Sequence, residues 1–298
     1  MGTRDTVRVA MVQALTDLNE PARNVDQALN YMRLASVQGA DIVCLPETYP
    51  GPWTPPLDYD PLPQICKGAV EHGLYVVAGL IEPIAEGAER YYVCEVLIDS
   101  QGRIAGKYRR TTPPGPWIYQ GGEFWDFYYQ EAAQLPVFDT PWGKVGLALC
   151  SEVYVPEVCR ILALQGAELI FLPAGTPKGD LWHTWRTLTF ARAIENLCFT
   201  ATCQNLFAPS DLGLTMVCSP EDILLETIRQ GVFVADCDLS RIRHLRASED
   251  TRGFGPRRCK PGIFRHWYRP ELHGVLLADV GRAATEREPT QSDDRKGL

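Results

Sequence analysis

The chain has 298 residues, 45% of them hydrophobic, which is enough for one large α/β domain or two small ones. Its 29 basic and 37 acidic residues give a formal charge of −8, and this acidic balance argues against a nucleic-acid-binding surface. No apolar run reaches the length of a membrane span, so we expect neither a nucleic-acid partner nor a membrane partner.

Strand-like and helical patterns alternate from the start of the chain. A strand at Val7–Val12 precedes a helix at Asn24–Gln38 and a strand at Asp41–Leu45. Further strands are predicted at Leu74–Ile81, Tyr91–Ile98, Arg103–Tyr108, Lys144–Leu149, Glu168–Leu172, Cys198–Cys203, Thr215–Cys218, Ile223–Glu226 and Val232–Asp238, and further helices at Pro156–Gln165 and Leu181–Asn196. Because βαβ crossovers and hairpins occur together, we expect an α/β fold of mixed sheets with helices on their outer faces.

No internal repeat or linker interrupts this pattern, so residues 1–250 are predicted to form one domain. Residues 251–284 read as a C-terminal extension with enough apolar side chains to pack on the core or on a partner subunit. The last stretch, residues 285–298, is polar and charged, and we expect it to be disordered.

The ten cysteines do not form a disulfide framework or a zinc site. Most of them lie inside apolar, strand-like runs, no CxxC pair occurs, and none has zinc-ligand spacing with a histidine. A buried free cysteine behaves as a small hydrophobic side chain, and reduced cysteines are typical of the cytoplasm. We therefore expect a cytoplasmic protein that binds no metal.

Three chemically active residues follow predicted strands directly. Glu47 comes after Asp41–Leu45, Cys150 after Lys144–Leu149, and Arg110 closes a run of cations after another strand. A helix beginning at Pro156 is expected to lower the pKa of the Cys150 thiol. A carboxylate, a thiol and a cation together could support acyl transfer, although each of them alone is more often structural or solvated.

Four ordered blocks resemble the nitrilase superfamily over about residues 7–246. They are Gly39–Glu47, Val145–Arg160, Gly166–Ile170 and Ala191–Asn196. The resemblance implies a four-layer α-β-β-α sandwich of two mixed β-sheets, with Glu47 as general base and Cys150 as nucleophile. It also implies a homodimer or higher homo-oligomer paired through its outer helices. No metal or organic cofactor is implied.

The chain departs from the family pattern at the catalytic lysine. The family closes a KYRK-type run with lysine, whereas here Arg110 stands at that position. In one interpretation Arg110 supplies the positive charge that stabilises an oxyanion. In the other, activity is altered or lost because arginine does not release a proton at neutral pH. Lys107 is a weaker choice, since a residue three positions away on a strand faces the opposite side.

Two further acidic positions are of interest. Many relatives use a second glutamate in the loop that here spans residues 111–131, where Glu123 is the best match and Asp126 the next. A glutamate in a glycine-rich loop is more often simply solvated. Glu152 replaces an aspartate of the family and is assigned to substrate binding, or alternatively to a structural partnership with Arg160 or a loop amide.

Pocket walls are expected from loops rich in proline and tryptophan. They would bring to one rim, for substrate binding, Trp53, Trp117, Tyr119, Trp125, Trp182 and His183. Rigid packing is an equally reasonable role for any one tryptophan. His183 is the only histidine near the proposed site, but it reads as part of a helix start, so a Cys–His dyad ranks below the Cys–Glu pair.

These observations predict a hydrolase that cleaves a non-peptide carbon–nitrogen bond of a small-molecule substrate through a Cys150 thioester or thioimidate. The bond could be an amide, an N-carbamoyl group or a nitrile, and the pattern resembles amidases and carbamoylases more than nitrilases. Two alternatives remain open. One is a nitrilase-like small-molecule-binding protein with altered or lost activity, and the other is an acyltransferase that uses the same cysteine.

Overall fold

The computed structural model describes residues 4–53, 55–112, 128–175, 178–249 and 259–277. The first half of the chain forms β1 (Thr6–Leu15), α1 (Arg23–Val37), β2 (Ile42–Cys44), α2 (Leu62–His72), β3 (Tyr75–Pro83), β4 (Arg90–Ile98), β5 (Ile104–Arg109) and β6 (Tyr128–Tyr129). The second half forms β7 (Val137–Asp139), β8 (Lys144–Leu147), α3 (Pro156–Leu164), β9 (Leu169–Phe171), α4 (Trp182–Asn196), β10 (Phe199–Thr202), β11 (Asn205–Leu206), β12 (Thr215–Cys218), β13 (Ile223–Thr227), β14 (Gly231–Asp238), α5 (Leu239–Ala247) and α6 (Ile263–His266). Short 3-10 helices lie at Cys150–Tyr154, Gly179–Leu181 and Pro270–Leu277.

The strands form two mixed sheets. The first has the order β11-β1-β2-β3-β4-β5, with β14 paired to β1 and β6 paired to β4. The second has the order β13-β12-β10-β9-β8-β7. Strands β1, β2 and β3 run parallel, as do β8, β9 and β10. Because functional groups collect where parallel strands end, the loops after β2, β8 and β9 are the natural place for a site.

Side-chain alternation assigns the strand residues to two cores. Leu169 and Phe171 of β9 lie in the core between the sheets, whereas Ile170 packs with helices α3 and α4 on the outer side. On the other side of the molecule, helices α1 and α2 cover the first sheet through buried residues such as Met32 and Ile65. The result is the four-layer α-β-β-α sandwich that the sequence predicted, and that prediction is confirmed.

Three helices, α2, α5 and the short α6, were not predicted from the sequence. Helix α2 follows a proline-rich stretch and buries only Ile65, Gly68 and Ala69, so its apolar stripe is too narrow to stand out. The described part of the C-terminal extension, residues 259–277, packs through Cys259 against Leu197 and Leu245. Among the described residues, no helix has both the length and the apolar character that crossing a membrane requires.

Candidate active site

Glu47 lies three residues beyond Cys44, the last residue of β2, and is almost completely buried. The Asn205 side chain donates a 2.9 Å hydrogen bond to its backbone carbonyl and holds the turn in place. Its Oε2 accepts a 2.8 Å hydrogen bond from the Gly175 N–H, and its Oε1 accepts a 3.2 Å hydrogen bond from Nη1 of Arg110. Both carboxylate oxygens are therefore oriented by neighbouring loops.

Cys150 begins the 3-10 helix after β8 and is buried. Its φ of +47° lies in the left-handed region, which is uncommon for a residue with a Cβ and costs free energy that the surrounding fold must offset. The N–H of Cys150 donates a 2.9 Å hydrogen bond to the Pro173 carbonyl, so the loop after β9 fixes this turn. The thiol lies close enough to the Glu47 carboxylate for each group to influence the pKa of the other. The structure thus brings together the thiol and the carboxylate that the sequence singled out.

The pKa of the Cys150 thiol is raised, contrary to the expectation drawn from the helix at Pro156. Burial has the largest effect and the Glu47 carboxylate adds to it, while Lys178 and Arg110 oppose both. Burial also raises the pKa of Glu47, again against Arg110. The thiol is therefore protonated at rest, and it needs an adjacent base to become a nucleophile.

Arg110 directly follows β5 and has no exposed surface. Its guanidinium bonds to Glu47, Ser151 and Thr112 among the described residues. Nη1 faces Glu47 at 3.2 Å, Nη2 donates to Oγ of Ser151, and Nε donates to the Thr112 carbonyl at 3.2 Å. Because these partners fix the planar guanidinium, it can hold the Glu47 carboxylate in one orientation. This geometry favours a positioning role for Arg110.

Glu152 is a buried carboxylate that connects the ends of β5 and β8. Its Oε2 accepts hydrogen bonds from the Tyr108 hydroxyl at 2.6 Å and the Leu149 N–H at 2.7 Å. Its Oε1 accepts from the N–H groups of Thr111 at 2.9 Å and Thr112 at 3.2 Å. Of the roles weighed for Glu152, the structure places it with loop amides rather than beside Arg160.

Lys178 is the residue of this site that the sequence reasoning missed. It lies in the loop between β9 and α4 and is only 3% exposed. Its Nζ lies 3.4 Å from the centroid of the Trp185 ring, and it is close enough to Cys150 and Glu47 to interact electrostatically with both. A single lysine in a loop rich in proline and glycine normally reads as solvated, so no signal in the sequence marks it as buried.

A second carboxyl group, Glu95 of β4, lies behind Glu47. It is fully buried, and neither of its oxygens has a partner within hydrogen-bonding geometry among the described residues. Burial raises its pKa well above the ordinary value, and the neighbouring Glu47 carboxylate raises it further. Burial and the Glu47 carboxylate thus both favour the neutral form of the Glu95 carboxyl group.

The described residues that were assigned to the pocket rim lie in different environments. Trp53 is buried against Tyr49, with ring centroids 6.3 Å apart. Trp182 is half-buried and meets the exposed His183 edge-on at 5.1 Å, and His183 makes no hydrogen bond to Glu47 or Cys150. The other predicted positions lie outside the described residues: Trp117, Tyr119, Glu123, Trp125 and Asp126. Within the described ranges no three His, Cys, Asp or Glu side chains are grouped for metal binding.

A four-layer sandwich with a thiol, a carboxylate and cations buried at its strand ends defines a protein of the nitrilase superfamily. The carbon–nitrogen hydrolase family model matches residues 8–247, and the chain belongs to that family.

Individual relatives include amidases and nitrilases. The chain is 30% identical to the deaminated glutathione amidase of Rattus norvegicus, over 74% of this chain and 67% of that protein. It is 25% identical to the aliphatic nitrilase of Sinorhizobium fredii (strain HH103), over 93% of this chain and 97% of the other. A solved structure with TM-score 0.69 and 23% identity covers 81% of this chain and 94% of its own. It is a mutant of the amidase from Nesterenkonia sp. AN1, with the acetamide moiety of fluoroacetamide covalently added at the active-site cysteine.

Proposed function

We propose that this protein hydrolyses a carbon–nitrogen bond of a small molecule through a covalent intermediate on Cys150, with amides and N-carbamoyl compounds preferred over nitriles. The burial of the Cys150 thiol beside the Glu47 carboxylate carries the proposal, because it pairs a nucleophile with a base inside a closed site. The similarity to deaminated glutathione amidase and to an amidase modified at its active-site cysteine supports the choice of substrate class.

The first half of the reaction forms a thioester. Glu47 takes the thiol proton, the sulfur of Cys150 attacks the carbonyl carbon, and the π electron pair moves onto the oxygen. When the tetrahedral intermediate collapses, the carbon–nitrogen bond breaks and the proton on Glu47 passes to the leaving nitrogen. An amine or ammonia departs, and the acyl group remains on sulfur.

The second half releases the acid. Glu47 takes a proton from water, the resulting hydroxide attacks the thioester carbon, and the carbon–sulfur bond breaks. The proton then returns from Glu47 to the sulfur of Cys150, which restores the starting state. The raised pKa of both groups suits this cycle, because each of them must accept and release the same proton.

A panel of small aliphatic amides, N-carbamoyl amino acids and nitriles, scored for ammonia release, tests the proposal. We expect at least one amide or N-carbamoyl compound to be turned over by the wild type and by Cys66→Ala, but not by Cys150→Ala. Cys66 is a suitable control because it is a free, partly buried cysteine on helix α2, outside the loops that carry Glu47, Arg110 and Cys150. Absence of turnover on the whole panel would favour a binding protein.

Thiol labelling provides an independent check. Iodoacetamide near neutral pH, with the site of modification located by mass spectrometry in the Cys66→Ala background, should modify Cys150 with Glu47 accepting the thiol proton. The Glu47→Gln variant should slow that reaction, since the thiol then loses its base. Equal labelling rates of Cys150 in the two proteins would contradict the assignment. Hydroxamate formation when hydroxylamine is added, without acid product in its absence, would instead point to an acyltransferase.

A further inference from the structure

Among the described residues, two buried cations, Arg110 and Lys178, lie at the active site, and they make different contacts. The guanidinium of Arg110 is bonded to Glu47, Ser151 and the Thr112 carbonyl. Its donors are therefore directed at protein groups, and its charge neutralises the base. An oxyanion formed beside Cys150 needs a separate hydrogen-bond donor, because moving Arg110 toward it would release Glu47 from its fixed orientation.

Lys178 has the properties of such a donor. Its side chain is buried, and within the described part of the chain its ammonium is held by a single specific contact, the 3.4 Å approach of Nζ to the centroid of the Trp185 ring. That contact leaves N–H bonds of the ammonium unpaired among the described residues. The ring face attracts the positive charge, but it cannot accept hydrogen bonds from all three N–H groups.

Contacts with neighbouring segments hold Lys178 close to the Cys150 thiol. Its backbone N–H donates a 2.9 Å hydrogen bond to the Leu212 carbonyl, and three residues earlier Gly175 bonds to Glu47. Trp185, under the ammonium, meets Tyr154 of the Cys150–Tyr154 helix edge-on with ring centroids 5.9 Å apart. The lysine is therefore tied on both sides to segments that carry the nucleophile and the base.

We propose that Lys178 is the catalytic cation that binds the oxyanion, and that Arg110 is a positioning residue for Glu47. This inference rests on the proposed hydrolase function. In the tetrahedral intermediate a Lys178 N–H donates a hydrogen bond to the oxygen that has gained the π electron pair. The proton stays on nitrogen, so Glu47 alone carries the thiol proton to the leaving group and the balance of the reaction is unchanged.

The role requires a protonated amine, which predicts a pH dependence. Cys150, Glu47 and Arg110 surround the Lys178 ammonium. Burial lowers the pKa of Lys178 and Arg110 lowers it further, whereas Cys150 and Glu47 raise it, and the net effect is a lowered pKa. Turnover should therefore fall as pH rises through a value below the ordinary lysine range. Lys178→Arg keeps its charge at every accessible pH, so the alkaline limb of the rate profile should move upward.

Steady-state kinetics on an amide turned over by the wild type tests the proposal. Lys178→Met keeps the length of the side chain but removes its donors, and we expect kcat to fall by about 10²–10³-fold with a much smaller change in KM. Lys260→Met is the matched control, because Lys260 is also buried and lies over a tryptophan, Trp267, at 4.7 Å in the C-terminal segment. That control should keep wild-type kcat. Melting temperatures of both variants separate loss of fold from loss of catalysis.

Amine rescue distinguishes a catalytic lysine from a purely structural one, because added amines would not restore activity lost with a structural lysine. Methylammonium or ethylammonium added to Lys178→Ala should restore part of the lost kcat in a saturable manner, and should not affect Cys150→Ala. A kcat for folded Lys178→Met within threefold of wild type overturns the inference, as does a loss that neither amines nor Lys178→Arg alters. If the wild type turns over no compound, the proposed function itself fails, which is a separate result.

Discussion

Replacing Glu152 tests how firmly the end of β5 is connected to the end of β8. The wild-type carboxylate satisfies backbone N–H groups of Leu149, Thr111 and Thr112 and the hydroxyl of Tyr108. Glu152→Ala leaves three backbone donors without this acceptor. At about 1–3 kcal/mol for each unsatisfied buried donor, the expected loss of unfolding free energy is about 3 kcal/mol or more.

Glu152→Gln should cost less, and the structure says why. The amide oxygen can take the place of Oε1 and keep the bonds to Thr111 and Thr112, while the NH₂ group can donate to the Tyr108 hydroxyl. Only the Leu149 N–H then faces a donor, so we expect a loss of about 1–3 kcal/mol. Tyr108→Phe removes one hydroxyl and should cost about 0.5–1.5 kcal/mol from the lost hydrogen bond.

Urea denaturation at pH 7, followed by fluorescence and circular dichroism, measures these differences from the midpoints at constant m-value. The predicted order of destabilisation is Glu152→Ala, then Glu152→Gln, then Tyr108→Phe. An alanine variant less than about 1 kcal/mol below wild type, or one more stable than the glutamine variant, would refute the idea that Glu152 acts as this acceptor.

Three further predictions concern the base and the groups behind it. Because burial raises the pKa of Glu47 above its ordinary 4.5, we expect kcat/KM to fall with decreasing pH, with a midpoint above pH 4.5. A midpoint at or below pH 4.5 would contradict the raised pKa. Because burial raises the pKa of Glu95 in the folded protein, the free energy of unfolding should fall above pH 4.5 by up to about 1.4 kcal/mol per pH unit until the pH passes the folded pKa. Glu95→Gln should therefore gain stability relative to wild type as the pH rises from 4.5 to 7 in denaturation experiments, and a pH-independent difference would argue against a raised pKa of Glu95. Gly79→Ala would place a Cβ 2.5 Å from Thr48 Cα, so we expect the turn at Glu47 to shift. The free energy of unfolding should fall by about 1–3 kcal/mol, and kcat should fall as well. A fully active and equally stable variant would contradict that contact.

The parts of the site that the sequence predicted are those set by strand ends. Glu47, Arg110 and Cys150 each follow an apolar run, and parallel strands in α/β proteins bring such positions to common edges. Strand periodicity also made Lys107 the weaker choice, and its ammonium pairs with Glu82 in the structure. Local sequence pattern was sufficient for these residues because their positions follow from strand periodicity and sheet topology.

The missed features depend on contacts between segments distant in the chain. The burial of Lys178 is produced by Trp185 and by Leu212, and no residue adjacent to it indicates this. The raised pKa of Cys150 comes from burial, which outweighs any effect of a helix start and cannot be estimated from sequence spacing.

Rapid-quench mass spectrometry of the acyl-enzyme tests the central claim most directly. After mixing with a turned-over amide and acid quenching within one turnover, peptide mapping should find the substrate acyl group as a thioester on Cys150. The Glu47→Gln variant should form this species far more slowly. An acyl group found on another residue, or full amide hydrolysis by folded Cys150→Ala, would contradict the account.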